Sequence, residues 1–212
     1  STTYIDNDTE EGTLVALLPM IREAMVRAHA RAIDKMVISG NGGSGAGASG
    51  VLDAASGTQA VTGSGDTLIG DDILAARVTM KKYGLNPADL ALACSFTAYN
   101  DLLGDAGFQD VTDVGSDLAI KRTGVIGSIF AIPVIVTDEA GLSDNRTGTN
   151  ICACLFNHRN FVIPRLRGVS VETEYQVGNQ RNAIVASQSL GFESLVAGNA
   201  TVGLPAVALR FT

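Results

Sequence analysis

Tryptophan is absent from this 212-residue chain, and there are only 4 tyrosines and 7 phenylalanines. Flat aromatic platforms for stacking bases are therefore scarce. Basic residues are also short. Fifteen Lys and Arg stand against 22 Asp and Glu, a formal charge of −7, with a pI near 4.7. Nucleic-acid-binding domains usually carry a basic footprint, so that class is disfavoured. No second His or Cys lies at ligand spacing from His29, which reads as a surface or packing residue. Three cysteines, Cys94, Cys152 and Cys154, form no even disulfide framework and read as buried free thiols of a reducing compartment. No signal peptide is visible at the start. No apolar run approaches the roughly 18 residues that a membrane-spanning helix needs.

Apolar residues, by contrast, are plentiful: 46% of the chain, with only 17% charged and a mean hydropathy of +0.23. That surplus points to a large core and to a subunit that buries further surface against copies of itself. The length suits one large domain or two modest ones.

The chain is organised around Pro19 to Gly50. Residues 1–8 are polar and extended or frayed. Thr9-Glu10-Glu11 offers a short helical turn with its carboxylates near the N-terminal dipole. Proline fits a helix's first turn, so the main helix starts near Pro19. Ile21, Met25, Ala28, Ala32 and Met36 recur three or four apart as its apolar stripe. Arg22, Glu23, Arg27, Arg31 and Lys35 lie mainly off it, with Glu23 and Arg27 at favourable i, i+4 spacing. Gly40 caps the helix.

The glycine run that follows, NGGSGAGASG, contains GxGxxG at Gly45, Gly47 and Gly50. A dinucleotide motif needs a strand before it and a helix after it, and here a helix precedes it. A P-loop lacks its Gly-Lys-Ser/Thr. The run reads as a flexible crossover between subdomains.

Beyond it lies a short strand near Gln59–Thr62, then a second helix over about 68–83 closed by Gly84. A third helix covers Phe96–Leu103. Residues 104–117 form an acidic, glycine-punctuated loop. Its Asp105, Asp110, Asp113 and Asp117 lack the glycine and closing glutamate of a calcium loop. Buried strands are expected at Ile126–Phe130, Pro133–Thr137 and Ile151–Phe156. Val169, Val171, Thr173 and Tyr175 alternate with polar residues as a half-exposed strand that pairs with Asn182–Val196. Val202–Phe211 closes the chain as an apolar strand. The order of helix, α/β block and strands makes an α+β chain with a discontinuous arrangement. Catalytic motifs are weak: Ser95 lacks a G-x-S-x-G context, and His158 has no assigned partner.

Several stretches, in this order, resemble the major capsid protein of tailed bacteriophages, the Hong Kong 97-type fold. They are the proline-initiated helix ending in ISGNGGSGAGASGVLD; Leu85-Asn86-Pro87 within YGLNPADLALACSFTAYND; SIFAIPV over Ser128–Val134, with Ala131 where the family usually has glycine; and Phe156-Asn157 followed by Val162–Val171. The resemblance spans residues 19–200. It implies a spine helix, a peripheral domain of long strands and an axial α/β domain. The corresponding segments are 1–51 for the spine helix and peripheral entry, 52–164 axial, 165–198 the peripheral strands, and 199–212 the return strand. It also implies an icosahedral shell of pentamers and hexamers around double-stranded DNA that is contacted weakly. Scaffold, portal or decoration proteins are possible partners, and neither a cofactor nor a membrane is involved. An encapsulin-like nanocompartment shell is the alternative on the same fold.

On this reading Gly40, Gly42, Gly43, Gly45, Gly47 and Gly50 form a hinge between domains. Arg22, Glu23, Arg27, Arg31, Glu172, Glu174 and Arg181 are the subunit-interface candidates. The family's N-terminal arm and extended loop are not seen before the helix, so Ser1 is either a processed start or the arm lies outside this sequence. Without that loop, and with Asn182 and Glu193 in doubtful register, no isopeptide crosslink is expected.

Overall fold

The computed structural model describes residues 2–6, 17–40, 49–55, 57–104, 108–109, 125–138, 141–146, 149–199 and 201–212. In chain order the strands are β1 (Thr2–Asp6), β2 (Gly57–Ala60), β3 (Leu90–Cys94), β4 (Phe108–Gln109), β5 (Val125–Ile129), β6 (Ile132–Val136), β7 (Ile151–Asn157), β8 (Phe161–Val162), β9 (Arg165–Gln176), β10 (Arg181–Leu190), β11 (Glu193–Ser194) and β12 (Ala206–Arg210). The helices are α1 (Leu17–Ser39), α2 (Val51–Ala54), α3 (Gly70–Met80) and α4 (Phe96–Leu103). The chain divides into two compact units: Ser1–Asp34 with Ile163–Gly191, and Lys35–Val162 with Phe192–Thr212.

The first unit is a helix on a sheet. β1, β10 and β9 form an antiparallel three-stranded sheet in that order. The start of the chain is thus extended, as expected, and also paired, with Thr3 opposite Ile184. Val171 and Thr173 stand opposite Ala186 and Ile184, so strand alternation gathers these four on one face. The N-terminal half of α1 covers that face, where Ile21 and Met25 pack with Ile5, Val171, Ile184 and Ala186.

The expected stripe on α1 needs one correction. Ala28 and Ala32 are exposed, and the sheltered line runs Ile21, Met25, His29, Ile33 and Val37, with Met36 beside it. Four-residue steps advance about 40° past a full turn, so this line drifts slowly round the helix. Burial favours the larger Ile33 and Val37 because the gain scales with apolar area, and alanine has little to offer.

In the second unit, seven strands pair in the order β2-β12-β7-β3-β6-β5-β4. β3 runs parallel to β6 and β12 parallel to β2; the other pairs are antiparallel. β3 is buried at every residue, and most of β7 is buried too. Strands covered on both faces read as continuous apolar runs, which is why LALAC and ICACLF show no alternation. The larger core joins Ile73, Ala76 and Met80 of α3 and Ala98 and Leu102 of α4 to Leu92, Val134, Leu155 and Leu209 of the sheet. A second cluster combines Val51, Cys154, Phe192 and Ala206 with Met36, Val37, Leu52 and Phe161.

That second cluster explains where the units part. The expected boundaries lay at the glycine run and near residue 198. The last turn of α1 packs instead with the second unit through Met36 and Val37. Phe192 also belongs there, its ring stacked on Phe161 at 5.4 Å.

Helix α4 has the expected limits. Helix α3 is shorter than expected: it starts at Gly70 and gives way to a 3₁₀ turn at Lys81–Gly84. Lys81 at φ +52° breaks the α-helical backbone there. Between β5 and β6, Phe130 and Ala131 take φ of +50° and +62°. Two positive φ values in a two-residue hairpin turn are the geometry that favours glycine. The family's usual glycine at the Ala131 position is thus explained by backbone conformation.

Candidate functional site

All seven charged residues proposed from the sequence as interface candidates belong to the first unit, where they form two surfaces. Arg22, Glu23, Arg27 and Arg31 are exposed on α1. Arg27 donates to Glu23 Oε1 at 2.5 Å, the expected i, i+4 pair. Glu172 and Glu174 are exposed on β9, and alternation points them away from the face that carries Val171. Arg181 shares their face. Its Nε donates to Gln176 Oε1 at 2.9 Å, and its guanidinium lies 4.0 Å over the Tyr4 ring. Exposed ion pairs of this kind contribute at most about 1 kcal/mol each. They shape and charge a surface without creating a reactive centre.

Of the proposed hinge glycines, Gly42, Gly43, Gly45 and Gly47 lie outside the described residues. Gly40 and Gly50 stand at the two ends of the run. The Gly50 N–H donates to the Gly40 carbonyl at 2.7 Å, and the Gly40 N–H donates to Met36 O at 3.0 Å. Gly50 has φ −74°, a conformation open to any residue. A Cβ there, however, would sit 2.4 Å from Gly40 N and 2.8 Å from Ile38 O. Glycine is required at this position for close backbone approach, and the loop is tied at its neck.

The remaining candidates serve the fold. Ser95 Oγ accepts the Ala98 N–H at 3.3 Å, capping α4. Asp144 Oδ1 accepts the Thr97 N–H at 2.8 Å at the same helix start. That N–H chiefly holds the Asp144 carboxyl below the usual carboxylate range, against a smaller opposing effect of burial. His158 is exposed on the 3₁₀ turn His158–Asn160. Asp105, Asp110, Asp113 and Asp117 lie outside the described residues. Cys94, Cys152 and Cys154 are buried and unpaired with one another. Burial is the main cause that pushes each thiol up to about 12. No group of three or more metal-ligating side chains occurs among the described residues.

Sequence reasoning missed two buried polar anchors. Asp72 accepts from Thr62 and Ile69. Asp101 accepts the Leu68 N–H at 3.1 Å and pairs with Arg146 at 2.5 Å. Only the Asp72–Ile69 contact is local, the reach of an N3 acid back to the residue before a helix, and so within range of a sequence pattern. Arg146 reaches Asp101 from 45 residues away.

A long helix whose N-terminal half covers an antiparallel sheet, together with a mixed seven-stranded sheet covered on both faces, makes this the Hong Kong 97-type capsid fold. No protein-family profile matches the chain. The major capsid protein of Escherichia phage T5 is 32% identical over 206 residues, covering 94% of this chain and 44% of that protein. The chain therefore spans less than half the length of that relative. Among solved structures, the capsid of the native GTA particle aligns with all of this chain and 71% of its own, at TM-score 0.72 and 13% identity. A chain from Mycobacterium phage Adephagia aligns over 99% of this chain and 69% of its own, at TM-score 0.70 and 13% identity. The holo-SrpI encapsulin complex from Synechococcus elongatus PCC 7942 aligns over 100% and 72%, at TM-score 0.66 and 13% identity. The chain is related in sequence to a phage major capsid protein and shares its structural neighbours' fold; the resemblance drawn from its motifs holds.

Proposed function

We propose that this chain builds the shell of a bacteriophage virion, as a structural major capsid protein that self-assembles into an icosahedral container for double-stranded DNA. The observation that carries the reading is the 32% identity to a phage major capsid protein along 94% of the chain. Composition supports it: a surface left apolar after folding suits a subunit that finishes its burial against neighbours. Association is heterologous and closes at five or six copies. Assembly takes place in the host cytoplasm, with scaffold, portal or decoration proteins as further partners. The net charge of −7 suits a wall that touches DNA weakly, because tight phosphate binding would oppose packaging and release. Among the described residues no helix is long and apolar enough to cross a membrane. The role is structural, without catalysis.

Within this reading the first unit supplies the peripheral domain and the second the axial domain; both ends of the glycine run lie in the second unit, so the run acts within the axial domain as shells mature and is not the link between the two domains expected from the sequence. Replacing Gly42, Gly43 and Gly45 with β-branched residues then impairs assembly or expansion; normal particles from that variant would refute this role of the run. No isopeptide crosslink joins the subunits, so denaturing gels of particles show single-chain bands.

The decisive experiment is electron microscopy of the protein expressed from its complete reading frame. Uniform icosahedral shells are expected, and only small soluble oligomers would overturn the reading. The encapsulin likeness at TM-score 0.66 supports a second reading, a nanocompartment shell. Packaged DNA favours the first; shells filled with an enzyme favour the second.

A further inference from the structure

A subunit that closes a ring by heterologous contact needs two different surfaces that fit each other. The second unit carries two open grooves with opposite charge. The first lies on α3. Ile73, Ala76 and Met80 face the core at 0% exposure, whereas Leu74 and Val78 face outward, Val78 at 75%. Leu85, at 76% exposure, extends this apolar strip. Arg77 and Lys81 complete a groove of about 340 Å³. Positions 74, 77, 78 and 81 fall on one helix face by their three- and four-residue spacing. Arg77 is held in place there, donating to the Gly84 and Leu85 carbonyls at 2.6 and 2.9 Å.

The second groove, of about 470 Å³, is lined by Phe96, Val136, Thr137, Asp138 and Asp144. It too carries apolar side chains, Val136 and the exposed Phe96, but its charges are two carboxylates. The Asp144 carboxylate is fixed by the Thr97 N–H.

The two grooves sit at opposite ends of β3. Phe96 and Val136 belong to the carboxyl end, where Cys94 pairs with Val136. Gly84 and Leu85 lie beyond the other end, where Leu90 pairs with Asn157 and Asn157 Nδ2 holds Tyr83 O at 2.9 Å. The grooves are therefore distinct surfaces of the second unit.

We infer that the Leu74–Val78–Leu85 face of one copy docks into the Phe96–Val136 groove of the next copy, with Arg77 and Lys81 meeting Asp138 and Asp144. The inference rests on the proposed shell-forming function and names the partner surfaces for one ring contact. Apolar centres supply affinity, and the opposed charges set register and exclude wrong pairings.

The test uses the complete protein, with shell yield read by sedimentation and microscopy and folding read by Tm. Lys81→Glu and Asp138→Lys should each lower shell yield by about tenfold or more, since like charges then face each other across the contact. The double variant Lys81→Glu/Asp138→Lys should recover most of the parental yield. Val78→Ser, at an exposed position, should lower yield with Tm unchanged, and it keeps the test open if a charge reversal disturbs folding. Parental yields from the single variants, or from Val78→Ser, would overturn the inference, as would a double variant that fails to recover. These outcomes leave the shell-forming reading intact, because the parent still forms particles. A parent that forms no shells would instead overturn that reading.

Discussion

Replacing Asp72 with alanine should cost more stability than any surface change in this chain. Its side chain is buried at 1% exposure. Oδ1 accepts the Thr62 N–H at 3.0 Å and the Thr62 hydroxyl at 2.5 Å, while Oδ2 accepts the Ile69 N–H at 3.1 Å. Thr62 follows the edge strand β2 and Ile69 precedes α3, so one carboxylate fastens strand end to helix start. Truncation strands two backbone N–H groups; the hydroxyl can turn elsewhere. Thr62 is exposed and Ile69 half-buried, so each stranded donor costs towards the lower end of about 1–3 kcal/mol, and about 2–4 kcal/mol is expected with the loss of charge-assisted bonds included. That is a large part of the roughly 5–15 kcal/mol by which domains are stable. At about 2–4 °C per kcal/mol for a chain of this size, Tm falls by about 4–16 °C. Asp72→Asn is the sharper variant. Asparagine keeps the shape but offers one acceptor oxygen, so in either orientation its NH₂ meets a backbone N–H. It should cost about 2 kcal/mol. Thermal and urea unfolding followed by circular dichroism measure both. A loss below about 1 kcal/mol for Asp72→Ala, or parity for Asp72→Asn, would refute the assigned role.

Four further outcomes follow from particular positions. Ala131→Gly should raise stability by about 1–2 kcal/mol, because Ala131 holds a left-handed conformation that is free only for glycine; urea midpoints decide it. Gly50→Ala should lose about 1–3 kcal/mol by forcing a Cβ against Gly40 and Ile38, whereas Gly168→Ala, with open space around it, should be neutral. Cys94, Cys152 and Cys154, buried with thiols pushed up to about 12, should resist a thiol reagent at pH 8 and react only once the protein is denatured; fast labelling of the folded chain contradicts this. Asp144 has a lowered folded pKa, so its contribution is present above the unfolded value of about 3.9 and is lost as pH falls through the folded value. Asp144→Asn should therefore be less stable than the parent at neutral pH and converge with it in acid. A constant gap at every pH would show that the carboxylate's charge is not involved.

Much of the fold was legible because local rules and tertiary packing agree. Pro19 sits in the first turn of α1, which starts at Leu17, two residues before the expected start, and Gly40 directly follows its last residue. Phe96–Leu103 is helical with Ser95 as its cap. Unalternating ICACLF is a central buried strand, as expected, whereas its neighbour LALAC was not singled out as a strand from the sequence. The i, i+4 pair Glu23–Arg27 forms as its spacing implies. The candidate site was less legible, since a surface for another subunit differs from a solvated surface only in what is left exposed. The spacing of Leu74 and Val78 does place them on one face of α3, but their exposure emerges only when Ile73, Ala76 and Met80 are seen to take the core.

The sequence by itself determined the periodicities and breakers, and hence which segments are helix or strand, because those depend on neighbours within a turn or two. It also carried the ordered motifs that led to the Hong Kong 97-type fold. Tertiary structure alone decided which side of α1 is sheltered, since Ala28 and Ala32 lose to Ile33 and Val37 only in competition for apolar contact. It decided that the last turn of α1 joins the second unit, through Val51, Leu52 and Phe192. It also brought Arg146 to Asp101 and Asp144 to Thr97, across 45 and 47 residues. Those outcomes depend on groups distant in the chain meeting in space, and no local pattern of residues encodes such a meeting.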